Sequence, residues 1–187
     1  VEALTNVAKA ANEDETRGSL LNVLDDTASV ETDIDNDVAI DAIVDNTPII
    51  IPTKLGEPVA VGTGSQSVEI LRPSKNDAGV SIVQEGVIAN DAANGTTTVT
   101  AVKKDGTLQI ASIIESVHSP ERFNYAISLP EGARLELTNG QPFIWNGQNN
   151  LIGAFAPAWA KDSKGVDVPT RYEVSGNILT QVVDHQA

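Results

Sequence analysis

The sequence predicts an all-β protein, a two-sheet antiparallel β-sandwich preceded by an acidic N-terminal arm. Three observations predict it. From Val59 onward, short β-branched runs are punctuated by Gly, Asn, Asp and Pro about every ten residues, the pattern of many short strands joined by tight turns. An Asp-Gly pair and a Gly-Asn pair fall between such runs at hairpin spacing. The first 50 residues differ in kind, holding 12 acidic and 2 basic side chains (net −10) and no aromatic residue, against 14 acidic and 10 basic (net −4) in residues 51–187.

The change of character falls near Pro52, which predicts an arm of residues 1–52 and a β domain of residues 53–187. In the arm, Ala3, Leu4, Val7, Ala8 and Ala11 recur at helical spacing, and Ser19, Leu20, Leu21, Val23 and Leu24 predict a second short helical turn after Gly18. From Val38 to Pro52 the text is Val, Ile, Ala and Asp broken by Pro48 and Pro52. That reads as an extended, edge-type strand, because Pro cannot donate to a ladder. By composition alone the arm is a disordered acidic tail. Ordering it costs about 1–2 kcal/mol per residue of backbone entropy, so an ordered arm must pack on something. The expected means is strand addition by Val38, Ile40, Ile43, Ile49, Ile50 and Ile51 to an open sheet edge of its own domain or of a neighbouring subunit.

In the β domain the expected strands are Ser67 to Leu71, Val80 to Gln84, Gly86 to Ala89, Thr97 to Lys103, Thr107 to Ser116, Arg122 to Leu129, Arg134 to Leu137, Phe143 to Trp145, Leu151 to Phe155, Arg171 to Ser175 and Ile178 to Val183. Two hairpins are specified, one turning at Lys104-Asp105-Gly106 and one at Ser175-Gly176-Asn177. So many strands exceed one flat sheet, and two packed sheets cover their apolar faces.

Composition narrows the chemistry. A chain of 187 residues buries roughly two thirds of its unfolded surface and needs no disulfide or structural metal. The absence of cysteine excludes thiol nucleophiles, thiolate zinc sites and iron–sulfur clusters, leaving any metal to carboxylates and the two histidines. A net charge of −14 repels phosphate backbones and anionic lipid, so nucleic acid is not an expected partner. Apolar runs reach three residues, as in Ile49 to Ile51, far short of a membrane span, so no membrane insertion is expected. The joint absence of Cys and Met suits an oxidising, extracellular setting, which predicts a secreted or cell-surface protein. The chain begins at Val1 without a basic segment followed by an apolar one, so a signal peptide is expected to have been removed or to lie outside it.

Four stretches carry a resemblance: Ser119-Pro120-Glu121-Arg122-Phe123-Asn124-Tyr125-Ala126-Ile127-Ser128-Leu129-Pro130-Glu131-Gly132-Ala133, Ala156-Pro157-Ala158-Trp159-Ala160-Lys161-Asp162-Ser163-Lys164-Gly165, Val168-Pro169-Thr170-Arg171-Tyr172-Glu173-Val174, and Gly176-Asn177-Ile178-Leu179-Thr180-Gln181-Val182-Val183-Asp184-His185. Over about residues 55–187 the chain resembles an N-terminal β domain of unknown function found in secreted proteins of high-GC Gram-positive (actinobacterial) bacteria. The resemblance implies a secreted location and a β fold, with no catalytic role. It further implies a leader ahead of the domain and a variable module after it, beyond His185. In this chain Pro-Glu-Gly and Asp-Ser-Lys-Gly are turn chemistry, and Trp159 and Tyr172 are expected core anchors.

Candidate sites are few. Asp33-Ile34-Asp35-Asn36-Asp37 starts like a calcium loop, with carboxylates at alternate positions. Val38 stands where the loop needs Gly and Val44 where it needs Glu, so Asp33, Asp35 and Asp37 are left as an irregular Ca²⁺ site at most. Their ordinary reading is a solvated acidic strand edge. His118 and His185 are the only imidazoles, and Asp184-His185 neighbours on a strand would point to opposite faces. Gly62-Thr63-Gly64-Ser65-Gln66-Ser67 lacks the Gly-x-Ser-x-Gly elbow of a hydrolytic serine. Glu115, Glu121, Glu131, Glu136 and Glu173 lie beside the expected β core without a spacing that marks a glycosidase pair. Trp145, Trp159, Tyr125 and Tyr172 could stack on sugars, yet most are needed to close the core. Asn94-Gly95-Thr96 matches a glycosylation acceptor and, more simply, a turn.

The expectation is therefore a non-catalytic secreted module for assembly or interaction, whose partner is a protein, including copies of itself. The alternatives from other classes are a prodomain for a C-terminal effector and a glycan- or Ca²⁺-dependent binding module.

Overall fold

Period-two alternation of burial is clearest at Arg122–Ser128 and Gln141–Trp145 of the computed structural model, which describes residues 23–64, 67–74 and 79–186. Among these residues the protein is all-β, with fourteen strands in three antiparallel sheets. The large sheet has seven strands in the order β1 (Val38–Val44), β2 (Thr47–Pro52), β3 (Val59–Val61), β4 (Val68–Leu71), β9 (Arg122–Ser128), β14 (Ile178–Val183) and β13 (Thr170–Ser175). Between β4 and β9 the chain makes a four-stranded meander of β5 (Gly79–Gln84), β6 (Val87–Asp91), β7 (Thr96–Val102) and β8 (Leu108–Ile114). After β9 it makes a three-stranded sheet of β10 (Arg134–Thr138), β11 (Gln141–Trp145) and β12 (Leu151–Ala154).

Turn chemistry sets the registers. The expected Lys104-Asp105-Gly106 turn joins β7 to β8: Gly106 N donates to Lys103 O at 3.0 Å and Gly106 takes φ +74°, a type I turn closed by a left-handed glycine. Gly176-Asn177 joins Ser175 to its register partner Ile178, with Gly176 at φ +57° as a II′ turn requires. Asp45-Asn46 supplies a two-residue turn that the composition did not announce, both residues having positive φ (46° and 62°) as in type I′. The segment Val38 to Pro52, expected as one extended strand, is therefore a hairpin. Val59–Val61 adds a strand too short for its alternation to mark it beforehand.

Cross-strand rows build the interior. Ile40, Ile49, Ile51 and Val59 of the large sheet pack with Ala28, Ile88 and Val102, so the β1–β3 end rests on one face of the meander. Val68, Ile70, Phe123, Tyr125, Ile127 and Leu179 pack with Leu135 and Ile144 of the small sheet, and with Leu108 and Ile110 of β8. The opposite face of the meander is covered in part by Val23 and Leu24, over Val87, Ala89, Val99 and Ala101. Strand β7 is thus buried along its whole length, and Thr96, Thr98 and Thr100 share the face of Val102 turned toward the large sheet. Two sheets were expected to form the core, whereas hydrogen bonding defines three. The chain leaves β8 for β9, a strand of the large sheet, so the meander and β10–β12 never become hydrogen-bonded neighbours.

The helical piece predicted around Ala3 to Ala11 lies outside the described residues. Of the second one, only Val23 and Leu24 fall within them.

Candidate functional site

Strand β1 ends the large sheet, and its hairpin with β2 decides which groups face outward. In a two-residue hairpin the pair next to the turn is hydrogen-bonded, here Val44 with Thr47, so Ala42–Ile49 and Ile40–Ile51 are bonded pairs as well. The intervening pairs, Asp41–Ile50 and Ile43–Pro48, are not, and the backbone N–H and C=O of Asp41 and Ile43 point away from the sheet. Pro48 fits here because its missing N–H removes no bond to β1, while its carbonyl accepts Gly62 N at 2.9 Å. One end of the open edge is closed where Asp33 N donates to Ala39 O at 2.9 Å.

The six residues expected to take part in strand addition divide by face. Ile40, Ile49 and Ile51 are buried, joining β1 and β2 to the protein's own core. Val38, Ile43 and Ile50 face outward at 40%, 75% and 41% exposure. Ile43 is the most exposed large apolar side chain among the described residues, and it sits on an edge to which none of them adds a strand.

The candidate calcium residues are placed as the entry to this hairpin. Asp33 Oδ1 accepts Asp35 N at 2.8 Å and its Oδ2 accepts Asn36 Nδ2 at 2.7 Å, an Asx turn that uses both oxygens. Asp37 Oδ1 is 3.1 Å from Lys54 Nζ, and the Asp37 carbonyl accepts Thr53 N and Thr53 Oγ1. Among the described residues no group of three or more His, Asp or Glu converges as a metal would require.

Next to the hairpin lies a buried cation that sequence reasoning missed. Arg72, 1% exposed, directly follows β4. Its Nη1 donates to Asn90 Oδ1 at 3.1 Å, and its Nη2 donates to Pro52 O at 3.0 Å and Lys54 O at 2.5 Å. Asn90, fully buried on β6, returns a bond from Nδ2 to Thr53 O at 2.6 Å. One guanidinium thereby ties β4, the β2–β3 loop and the meander together, and its fixed fork of donors suits several carbonyls at once. The available signal was an Arg wedged between the apolar end of β4 and Pro73.

The remaining candidates are dispersed. Asp184 lies 3.5 Å from Arg171, while His185 Nε2 faces Pro120 O at 3.3 Å, so the two do not form a dyad. His118 is exposed on the loop after β8. Glu115 Oε1 accepts Thr97 Oγ1 at 2.7 Å, Glu136 pairs with Arg134 at 2.9 Å, and Glu121 and Glu131 lie in loops beside β9 and β10. Tyr125 belongs to the core, where burial raises the pKa of its hydroxyl. Tyr172 packs against the same cluster, Trp145 is half-buried with its ring centroid 6.3 Å from that of Phe143, and Trp159 is 42% exposed rather than a core anchor.

An open hollow of about 530 Å³ is lined by Asp25, Asp26, Lys103, Lys104 and Asp105. Lys103 Nζ donates to Val23 O at 2.7 Å and Asp25 O at 2.6 Å, so its ammonium fastens the segment before β1 to the β7–β8 turn. Burial lowers its pKa, against the opposing pull of the Asp25, Asp26 and Asp105 carboxylates.

The outer face at the far end of the large sheet is ionic. Arg122 Nη2 donates to Glu173 Oε2 at 2.6 Å, and Arg171 approaches Glu173 at 3.4 Å. The Arg122 hydrogen bond, then the positive charges of Arg122 and Arg171, hold the Glu173 carboxyl below the usual carboxylate range. A carboxyl whose folded pKa is depressed adds stability above its unfolded pKa and loses it as the pH falls through the folded one. An NMR titration of the Glu173 side chain should give a midpoint below that of the Arg122→Ala variant, and equal midpoints would dismiss the pairing.

No protein-family model, curated protein or solved structure matches this chain. Among the described residues the observed class is an all-β antiparallel protein, with β1 and β13 as the terminal strands of its large sheet.

Proposed function

We propose that this chain is a non-catalytic, secreted β-sandwich module that acts through its surface, taking up an extended segment of a protein partner along the free edge of β1. In this reading the large sheet is one layer of the sandwich, and the meander with β10–β12 forms the other. Residues 1–52 are the arm, and its hairpin extends the sheet of the 53–187 domain and offers a new edge. The observation that carries the proposal is Ile43, 75% exposed on a terminal strand whose outward N–H and C=O groups are those of Asp41 and Ile43. Natural proteins usually blunt such edges, so one carrying an exposed isoleucine suits pairing. Secretion rests on the absence of Cys and Met and on the resemblance to the actinobacterial domain.

The test is amide hydrogen exchange by NMR with seven-residue extended peptides of basic, neutral and acidic composition. The Asp41 and Ile43 amides should become protected with at least one peptide, and Ile43→Pro, which removes a donor from the edge, should abolish the effect. Unchanged exchange at both amides with all three peptides would refute strand uptake.

A further inference from the structure

Resting on the strand-uptake reading, the charges around the edge narrow the occupant. The usable window runs from Ile40 to Val44, bounded by the Asp33–Ala39 backbone bond at one end and the Asp45-Asn46 turn at the other. Asp41 and Asp45 are exposed beside it, and neither belongs to an ion pair among the described residues. Asp37, at the start of the same hairpin, has Lys54 at 3.1 Å. Asp41 and Ile43 project from the same outer face, so a strand laid along the edge meets a carboxylate and an isoleucine at alternate positions.

A second copy of the chain is a poor occupant on these terms. Antiparallel self-pairing centred on Asp41 sets Asp41 against its own copy, and centring on Ile43 sets it against Asp45 of the other molecule. Centring on Ala42 leaves Asp41 diagonal to both, within about 7–8 Å. Each of these antiparallel β1–β1 registers brings carboxylates together between two chains that each carry a net charge of −14.

We infer that the β1 edge takes an extended cationic protein segment in which Lys or Arg beside Asp41 alternates with β-branched residues beside Ile43. Backbone bonds to Asp41 and Ile43 supply the pairing, and the carboxylates of Asp41 and Asp45 select the sign of charge.

The experiment uses the full chain and two fluorescein-labelled peptides, Thr-Lys-Thr-Val-Thr-Lys-Thr, which sets Val beside Ile43 when its Lys residues lie beside Asp41 and Asp45, and its Glu-for-Lys counterpart, titrated by anisotropy and accompanied by sedimentation equilibrium of the chain alone. The Lys peptide should bind, and more weakly as salt rises. Asp41→Lys should lower its affinity about tenfold, and the Glu peptide should not bind. Equal binding of the two peptides, or a dimer of the chain that Ile43→Lys dissolves, would overturn the cationic occupant while leaving strand uptake standing. Absence of peptide binding together with a monomeric chain would overturn both.

Discussion

Deleting residues 1–52 is expected to abolish the cooperative unfolding transition of what remains. The deletion removes β1 and β2, and with them the fully buried Ile49 and Ile51 and the 1%-exposed Ile40. Truncating one such side chain to Ala costs about 2–5 kcal/mol, so losing three approaches the entire 5–15 kcal/mol that holds a domain folded. The loss also uncovers the face of the meander at Ile88 and Val102 and leaves the three-residue β3 as an edge. Urea titration followed by near-ultraviolet circular dichroism reads the outcome. A sharp transition at the midpoint of the full chain would show that the hairpin is not integral to the core.

Arg72→Met should destabilise the chain by about 3 kcal/mol, the largest effect expected of a single polar residue here. Methionine keeps the apolar stem but leaves the buried Asn90 Oδ1 and Pro52 carbonyl without their donor, along with the part-buried Lys54 carbonyl. Each unsatisfied buried group costs about 1–3 kcal/mol. The urea midpoint should fall without a change in slope, as a loss of stability without a change in compactness requires. Arg134→Met is the control, because the Arg134–Glu136 pair is solvent-exposed and worth about 0–1 kcal/mol. Equal midpoints for the two variants would remove the clamp from the account of stability.

Much of the strand inventory was legible in the text, because alternation is a local signal. Arg122–Ser128 is the clearest case, with Phe123, Tyr125 and Ile127 buried between exposed neighbours. The Asp45-Asn46 turn was not legible, since it lacks the glycine that advertises most type I′ turns and since Pro48 argued for a lone extended segment. Sheet order was hidden for another reason: β4 and β9 are partners across the intervening meander, and no local pattern records a pairing at that distance. The Arg72 clamp escaped because its acceptors are mostly backbone carbonyls, which every residue has. At the β1 edge the composition of Val38 to Pro52 indicated strand addition, but which residues turn inward depends on a register that only the turn fixes.

The join between β4 and β9 has a consequence for how the chain is made. The two halves of the large sheet meet through one short ladder, Glu69 to Leu71 against Ala126 to Ser128. As the chain emerges from a ribosome, the first half must wait with the far edge of β4 unpaired until β9 arrives, whereas the meander pairs between sequential neighbours and can zip early. That suture closes only after all four strands of the meander have been made, and until then the first half of the sheet carries an open edge on both sides.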